Sequence, residues 1–174
     1  MQYFKGKEIN LRPLEMEDLN LLYEWENNPL VWSVSNTVTP YSKHILQQYI
    51  ETAGTDIYTS KQLRLVIEKT ESKQAIGFID LFDFDPYNSK VGVGILIAET
   101  KERNQGFASE ALNLIIQYVE KHLGLKQLYC NITTDNAQSI KLFKKTGFIE
   151  FGIKKDWIRV EDTWLDEALY QLIF

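Results

Sequence analysis

Apolar residues along this chain recur at two spacings, and the switches between them mark out its elements. The segment KEINLRPL alternates well enough for a first strand. MEDLNLLYEWENNP then carries Leu19, Leu22, Tyr23 and Trp25 on a helical stripe. That stripe is expected to end before Pro29, because a residue preceding proline is pushed out of the helical region. SKHILQQYIETAG repeats the helical pattern and stops at Gly54, a common C-terminal signal. Two helices are therefore expected between the first strand and the remainder.

Three strand-like runs follow, LRLVIE (63–68), QAIGFIDLF (74–82) and KVGVGILIA (90–98). The connections KTESK and DFDPYNS are rich in turn formers, so the three predict an antiparallel meander. A long helix from about Gly106 to Leu123 would align Ala108, Ala111, Leu112, Ile115, Val119 and His122 along one side and end at Gly124. LKQLYCNIT reads as a strand, and NAQSIKLFKKTG as a short helix with Asn136 as N-cap and Gly147 at its end. FIEFGIKKDWI and TWLDEALYQLIF read as two closing strands, the last able to close the sheet or to pair across a homodimer. The fold class is α/β (α+β), a mixed and mainly antiparallel sheet with helices on its faces. No linker or repeat interrupts it, so residues 1–174 are expected to form a single domain.

Composition narrows the partners. At 174 residues and 44% hydrophobic side chains the chain fills one core and is short for two. A formal net charge of -5 disfavours non-specific nucleic-acid binding. Cys130 stands alone, which excludes an intrachain disulfide and fits a reducing compartment. Neither a signal-peptide pattern nor a run of about 18 apolar residues occurs, so a cytoplasmic protein without a membrane partner is expected. His44 and His122 have no companions at metal-ligand spacing, and no metal is expected. Trp25, Trp32, Trp157 and Trp164 form no cluster by spacing.

The chemistry centres on Arg103-Asn104-Gln105-Gly106-Phe107-Ala108, a polar turn between an apolar strand and an amphipathic helix. Such a turn aims free backbone N–H groups at one point, where an anion binds. Neither G-x-G-x-x-G nor G-K-[ST] is present, which leaves out the dinucleotide-binding turn and the P-loop. Together with DNAQSIKLFKKTGF, the turn resembles the GNAT superfamily of acyl-CoA-dependent N-acetyltransferases. The signature [Q/R]-x-x-G-x-[G/A] is matched by Arg103, Gly106 and Ala108. LRPLEMEDLNLLYEWENNP further resembles the opening of the branch holding ribosomal-protein N-terminal acetyltransferases and spermidine N-acetyltransferases.

That resemblance implies a sheet splayed between its fourth and fifth strands and acetyl-CoA as co-substrate. The amides of Asn104, Gln105, Gly106, Phe107, Ala108 and Ser109 would meet the pyrophosphate, with Gly106 admitting it where a Cβ would collide. The pantetheine arm would run along Ile95, Leu96 and Ile97, with Asn136 bonding it and Ser139 and Phe143 lining its other side. The acceptor would be a primary amine, either a small amine or polyamine or a protein N-terminus.

Two departures from the family pattern bear on catalysis. Many relatives carry a glutamate base where this chain has Gly92, followed by Gly94, and a tyrosine acid where it has Phe143. Both glycines would open one strand face, leaving room or accommodating a close neighbour. An amine of pKa ~10.4 is neutral only to roughly one part in a thousand at pH 7, so a base or water relay is required. Asp80 is the candidate base, with Asp83, Asp85, Glu24 and Glu26 as other carboxylates near the site; ordinary ion-paired surface roles are the alternative for each. The backbone N–H of Ile95 is the candidate oxyanion donor. Cys130 reads as a small core residue. The expected activity is acetyl transfer; the competing readings are an acyl-CoA-binding protein with little turnover and an unrelated anion-binding module.

Overall fold

The computed structural model describes residues 2–35 and 37–174, and the side chains of all of these except 33–35. Among them seven strands form one sheet: β1 (Ile9–Pro13), β2 (Leu63–Lys69), β3 (Ala75–Asp85), β4 (Lys90–Ile97), β5 (Gln127–Thr133), β6 (Ile149–Val160) and β7 (Thr163–Ile173). Their order is β1-β2-β3-β4-β5-β7-β6. The first four make the expected antiparallel meander. β4 and β5 are parallel and pair only at Lys90↔Gln127, Val91↔Leu128 and Gly92↔Tyr129. Beyond Gly92 and Tyr129 the two strands part, which is the splay. β7 lies inside the sheet between β5 and β6, so the C-terminal strand closes the sheet and β6 takes the edge.

Helices are more numerous ahead of the meander than the periodicity predicts. α1 (Leu19–Glu26) and α3 (Lys43–Ala53) are the two expected, and α2 (Pro29–Ser35) and α4 (Ile57–Ser60) are additional. Pro29 does end α1, but it also opens α2, because a proline at the first helical position loses no hydrogen bond. α4 is a single turn capped by Asp56, whose carboxylate accepts from the N–H groups of Tyr58 and Thr59. One turn is too short to leave a period in the sequence.

α5 (Phe107–Lys121) and α6 (Ala137–Lys145) complete the fold. Side chains alternate along each strand, so the sheet carries two cores. On one face Leu65, Ile67, Ile79, Leu81, Val91 and Val93 pack against Ala111, Leu112, Ile115 and Val119 of α5. On the other, Val66 and Phe78 meet Leu22 and Trp25 of α1 and Leu46 and Ile50 of α3. Each fully buried Leu or Ile contributes roughly 1.5–3 kcal/mol relative to exposure. Tyr118 takes the inward place at the end of the α5 stripe. His122, expected there, is exposed beyond the helix and stacks on Tyr118 at 5.2 Å.

Candidate active site

Where β4 and β5 part, a cleft of about 730 Å³ opens. Its walls are β4, the 103–106 turn, the first turn of α5, α6 along its length, the splayed end of β5, Leu30 of α2 and Glu167 of β7. Ile95, Leu96, Ile97, Arg103, Asn104, Gly106, Phe107, Ala108, Ser109, Asn136, Ser139 and Phe143 all line it. Gln105 does not. Its amide turns away to donate to the carbonyl of Lys101 at 2.7 Å.

The turn owes its shape to two left-handed residues, Asn104 at φ 63° and Gly106 at φ 92°. Successive amides bent this way form a concave cluster of donors. Gly106 is also the N-cap of α5 and offers no side chain to the first-turn N–H groups, which therefore face outward for another acceptor. Among the described residues, a Cβ at Gly106 would meet no atom within 4 Å. Within the protein the glycine is thus required by its positive φ and not by a crowded neighbour. Arg103 braces the turn: its Nε donates to the carbonyl of Ile97 at 2.9 Å.

That contact agrees with the alternation along β4. The N–H of Ala98 bonds Ile76 across β3, and the β3–β4 register continues unbroken to Phe82↔Gly92. In an antiparallel ladder, peptide groups alternate between the partner strand and the opposite edge. The N–H groups of Ile95 and Ile97 accordingly face the splay, whereas that of Leu96 is used within the sheet. Across the cleft the Oδ1 of Asn136 accepts from the N–H of Ser139 at 3.1 Å, capping α6 and leaving the Nδ2 donor unused. Phe143 is buried, its ring edge-on to Phe148 at 5.0 Å. Burial pushes the Cys130 thiol up, so it stays protonated at neutral pH.

The opposite face of the sheet is built from side chains, and Asp80, the candidate base, does not line the cleft: it stands with Tyr49, Arg64 and Phe82 around a separate, smaller pocket. Gly92 and Gly94 pair with Phe82 and Asp80. The space expected beside Gly92 is filled: a Cβ there would lie 2.3 Å from the Phe82 ring. Phe82 in turn stands edge-on to Tyr129 at 5.9 Å. Both oxygens of Asp80 are engaged by Arg64, at 2.6 and 3.1 Å, and Arg64 also holds Glu26. The guanidinium lies over the rings of Tyr49 and Phe78 at 5.4 and 5.3 Å. Burial works against its charge, but Asp80 first and then Tyr49 and Glu26 outweigh this and hold it protonated above its usual range. Tyr129 donates to Asp83 at 3.2 Å; burial foremost, and then Asp83, pushes its phenol up to about 12. Asp85 serves the β3–β4 turn through Asn88, and Glu24 is exposed.

Sequence reading missed Arg64, Phe82, Glu102 and Glu167. An arginine in an alternating strand was the one available signal for Arg64, and nothing local marked the others. Among the described residues no group of three His, Cys, Asp or Glu is placed to hold a metal ion.

A model of the acetyltransferase (GNAT) domain matches residues 8–149. The chain belongs to the GNAT acetyltransferase family. This GNAT chain is 24% identical over 174 residues to the "Uncharacterized N-acetyltransferase p20" of Bacillus licheniformis, covering 99% of this chain and 97% of that one. It is 26% identical over 147 residues to the spermidine N(1)-acetyltransferase of Vibrio cholerae, covering 84% and 82% of the two chains. The crystal structure of the Vibrio cholerae spermidine N-acetyltransferase with CoA and spermine superposes with a TM-score of 0.87 at 22% identity, over 97% of this chain and 96% of that one. The splayed seven-stranded sheet is therefore the GNAT fold.

Proposed function

We propose that this GNAT acetyltransferase moves an acetyl group from acetyl-CoA to a primary amine by direct attack within a ternary complex. The observation carrying the proposal is the donor layout of the cleft: outward amides at 104–109, splay-facing N–H groups at Ile95 and Ile97, and a free Nδ2 on Asn136 opposite. A pyrophosphate followed by an amide-bearing arm has the acceptors that this layout lacks. Acetyl-CoA supplies the activated acetyl thioester.

The chain's own residues then have three tasks. The turn and Asn136 fix the cofactor along β4. The N–H of Ile95 steadies the negative charge that grows on the carbonyl oxygen as the amine attacks. The amine's proton leaves through water or a carboxylate, since Gly92 supplies no base and Asp80 is already committed to Arg64. Phe143 donates no proton, and a thiolate of pKa ~8.5 leaves tolerably without one. Direct attack follows because the lone cysteine, buried and protonated, is no nucleophile.

Relatives named as spermidine acetyltransferases favour amine acceptors, with a polyamine or another small amine and a protein N-terminus as the classes. A second reading, an acyl-CoA binder with little turnover, would rest on the filling of the base position by Phe82, and the acetyltransferase relatives do not favour it. A thiol-release assay with acetyl-CoA against polyamines, aminoglycosides, amino acids and N-terminal peptides separates them. Release stimulated by one class supports transfer; a rise in melting temperature with acetyl-CoA but no stimulated release supports binding alone.

A further inference from the structure

Among the described residues only three polar or charged side chains are buried: Asp18, Glu102 and Glu167. Asp18 is consumed by Arg12 and the N–H of Glu15, and it lies outside the cleft. Glu102 lines the cleft beside the 103–106 turn and is held by Lys69 at 3.1 Å. Glu167 lines the same cleft from β7 and is 7% exposed.

Register fixes the face on which Glu167 stands. Gly92 pairs with Tyr129, and Tyr129, Asn131 and Thr133 share one side of β5. Thr133 pairs with Glu167. Glu167 is therefore on the same side of the sheet as Gly92, Gly94 and Asp80, the side opposite α5. The Oε2 accepts from Lys154 at 2.7 Å, and among the described residues Oε1 has no hydrogen-bond partner. Oε1 is not sealed in, since the only enclosed unpartnered side-chain atom among those residues is the Thr70 Oγ1.

Resting on the acetyl-transfer reading, we infer that Glu167 is the acceptor-binding carboxylate of this cleft, its Oε1 accepting a hydrogen bond from the N–H of the attacking amine. A buried carboxylate with one oxygen unpaired gains most from such a donor. Its existing partner matters as well. The Lys154 ammonium neutralises the carboxylate, so the pair holds an uncharged amine, the nucleophilic form, without strongly favouring a second cation.

The experiment measures acetyl-CoA-dependent thiol release with n-butylamine, spermidine and an alanine-leading peptide as acceptors, together with the melting-temperature rise caused by CoA. Glu167→Gln is expected to raise the KM of the accepted amine about tenfold while leaving the KM for acetyl-CoA and the CoA-induced melting shift unchanged. The double exchange Lys154→Gln with Glu167→Gln keeps the buried pair uncharged and hydrogen-bonded, and it should give the same rise if the single variant folds poorly. Turnover by the unsubstituted chain with an unchanged amine KM in both variants overturns the inference alone. Equal changes in amine KM, acetyl-CoA KM and melting shift would show a merely structural role and also overturn it. Absence of stimulated release by the unsubstituted chain on all three amines, and on the aminoglycosides and amino acids as well, overturns the transfer reading and this inference with it.

Discussion

The two faces of the sheet beside the splay are built from different materials. On the α5 side the groups aimed into the cleft are mostly backbone: the amides of the 103–106 turn, the first turn of α5 and the β4 edge at Ile95 and Ile97. On the α1 and α3 side the surroundings are side chains tied over long sequence distances, with Arg64 reaching back 38 residues to Glu26 and forward 16 to Asp80. A backbone site needs only a permitted conformation, so most of its residues can change without altering what it presents. A side-chain site changes with each substitution. On the proposed reading, the backbone face holds the cofactor and the side-chain face sets the acceptor.

Removing Arg64 probes the side-chain face most severely. Arg64→Met strands Glu26 and Asp80 with no counter-charge, and breaking partly buried pairs this way costs up to roughly 3 kcal/mol of stability. Urea denaturation should show that loss, while the folded fraction binds acetyl-CoA as before. A parallel loss of cofactor affinity would mean that the faces are coupled through β3 and β4.

Restoring the family's usual glutamate tests the same face at closer range. Gly92→Glu drives a Cβ into the Phe82 ring and should destabilise by about 1–3 kcal/mol, the range for overpacking. With Phe82→Ala in the same chain the effects should fall short of their sum, because the second change removes the obstacle. Strict additivity in thermal denaturation would show that the ring swings aside without resistance.

The contrast also explains what was legible in the chain. Strands, meander and the α5 stripe follow from apolar spacing, and the 103–106 turn follows from contiguous residues. Asn136 was readable as a cap because caps are local. Phe82 was not readable as the occupant of the Gly92 space, because that depends on a cross-strand register fixed ten residues away. Nor was the commitment of Asp80 to Arg64, which only the pairing Arg64↔Asp80 reveals. His122 failed for a related reason: the helix ends before the stripe does, and Tyr118 fills the place first.

On the backbone face, Gly106→Val should act through conformation. A β-branched residue at φ 92° is strained by on the order of 2 kcal/mol, which converts to about thirtyfold weaker acetyl-CoA binding if the turn relaxes to relieve it. Gly106→Asn sharpens the result, since asparagine tolerates the left-handed region but still carries a Cβ. Retained affinity in the asparagine variant would assign the effect to backbone shape. Equal loss in both would assign it to the Cβ meeting the ligand, since nothing among the described residues stands in its way.

The smallest expected effect is at Asn136, whose side chain caps α6 and, on the proposed reading, also meets the cofactor. Its Oδ1 caps α6 through the N–H of Ser139, and its Nδ2 is the donor proposed for the pantetheine arm. Asn136→Ala removes both and should lower stability by ~1 kcal/mol and acetyl-CoA affinity about fivefold. Asn136→Asp keeps an oxygen for the cap, at a helix N-terminus that favours a negative charge, but loses the donor. Its stability should therefore match the parent while its affinity falls at least as far as in the alanine variant. An aspartate variant that binds acetyl-CoA like the parent would show that Asn136 only caps the helix, and the arm would then be held by the β4 edge without help from α6.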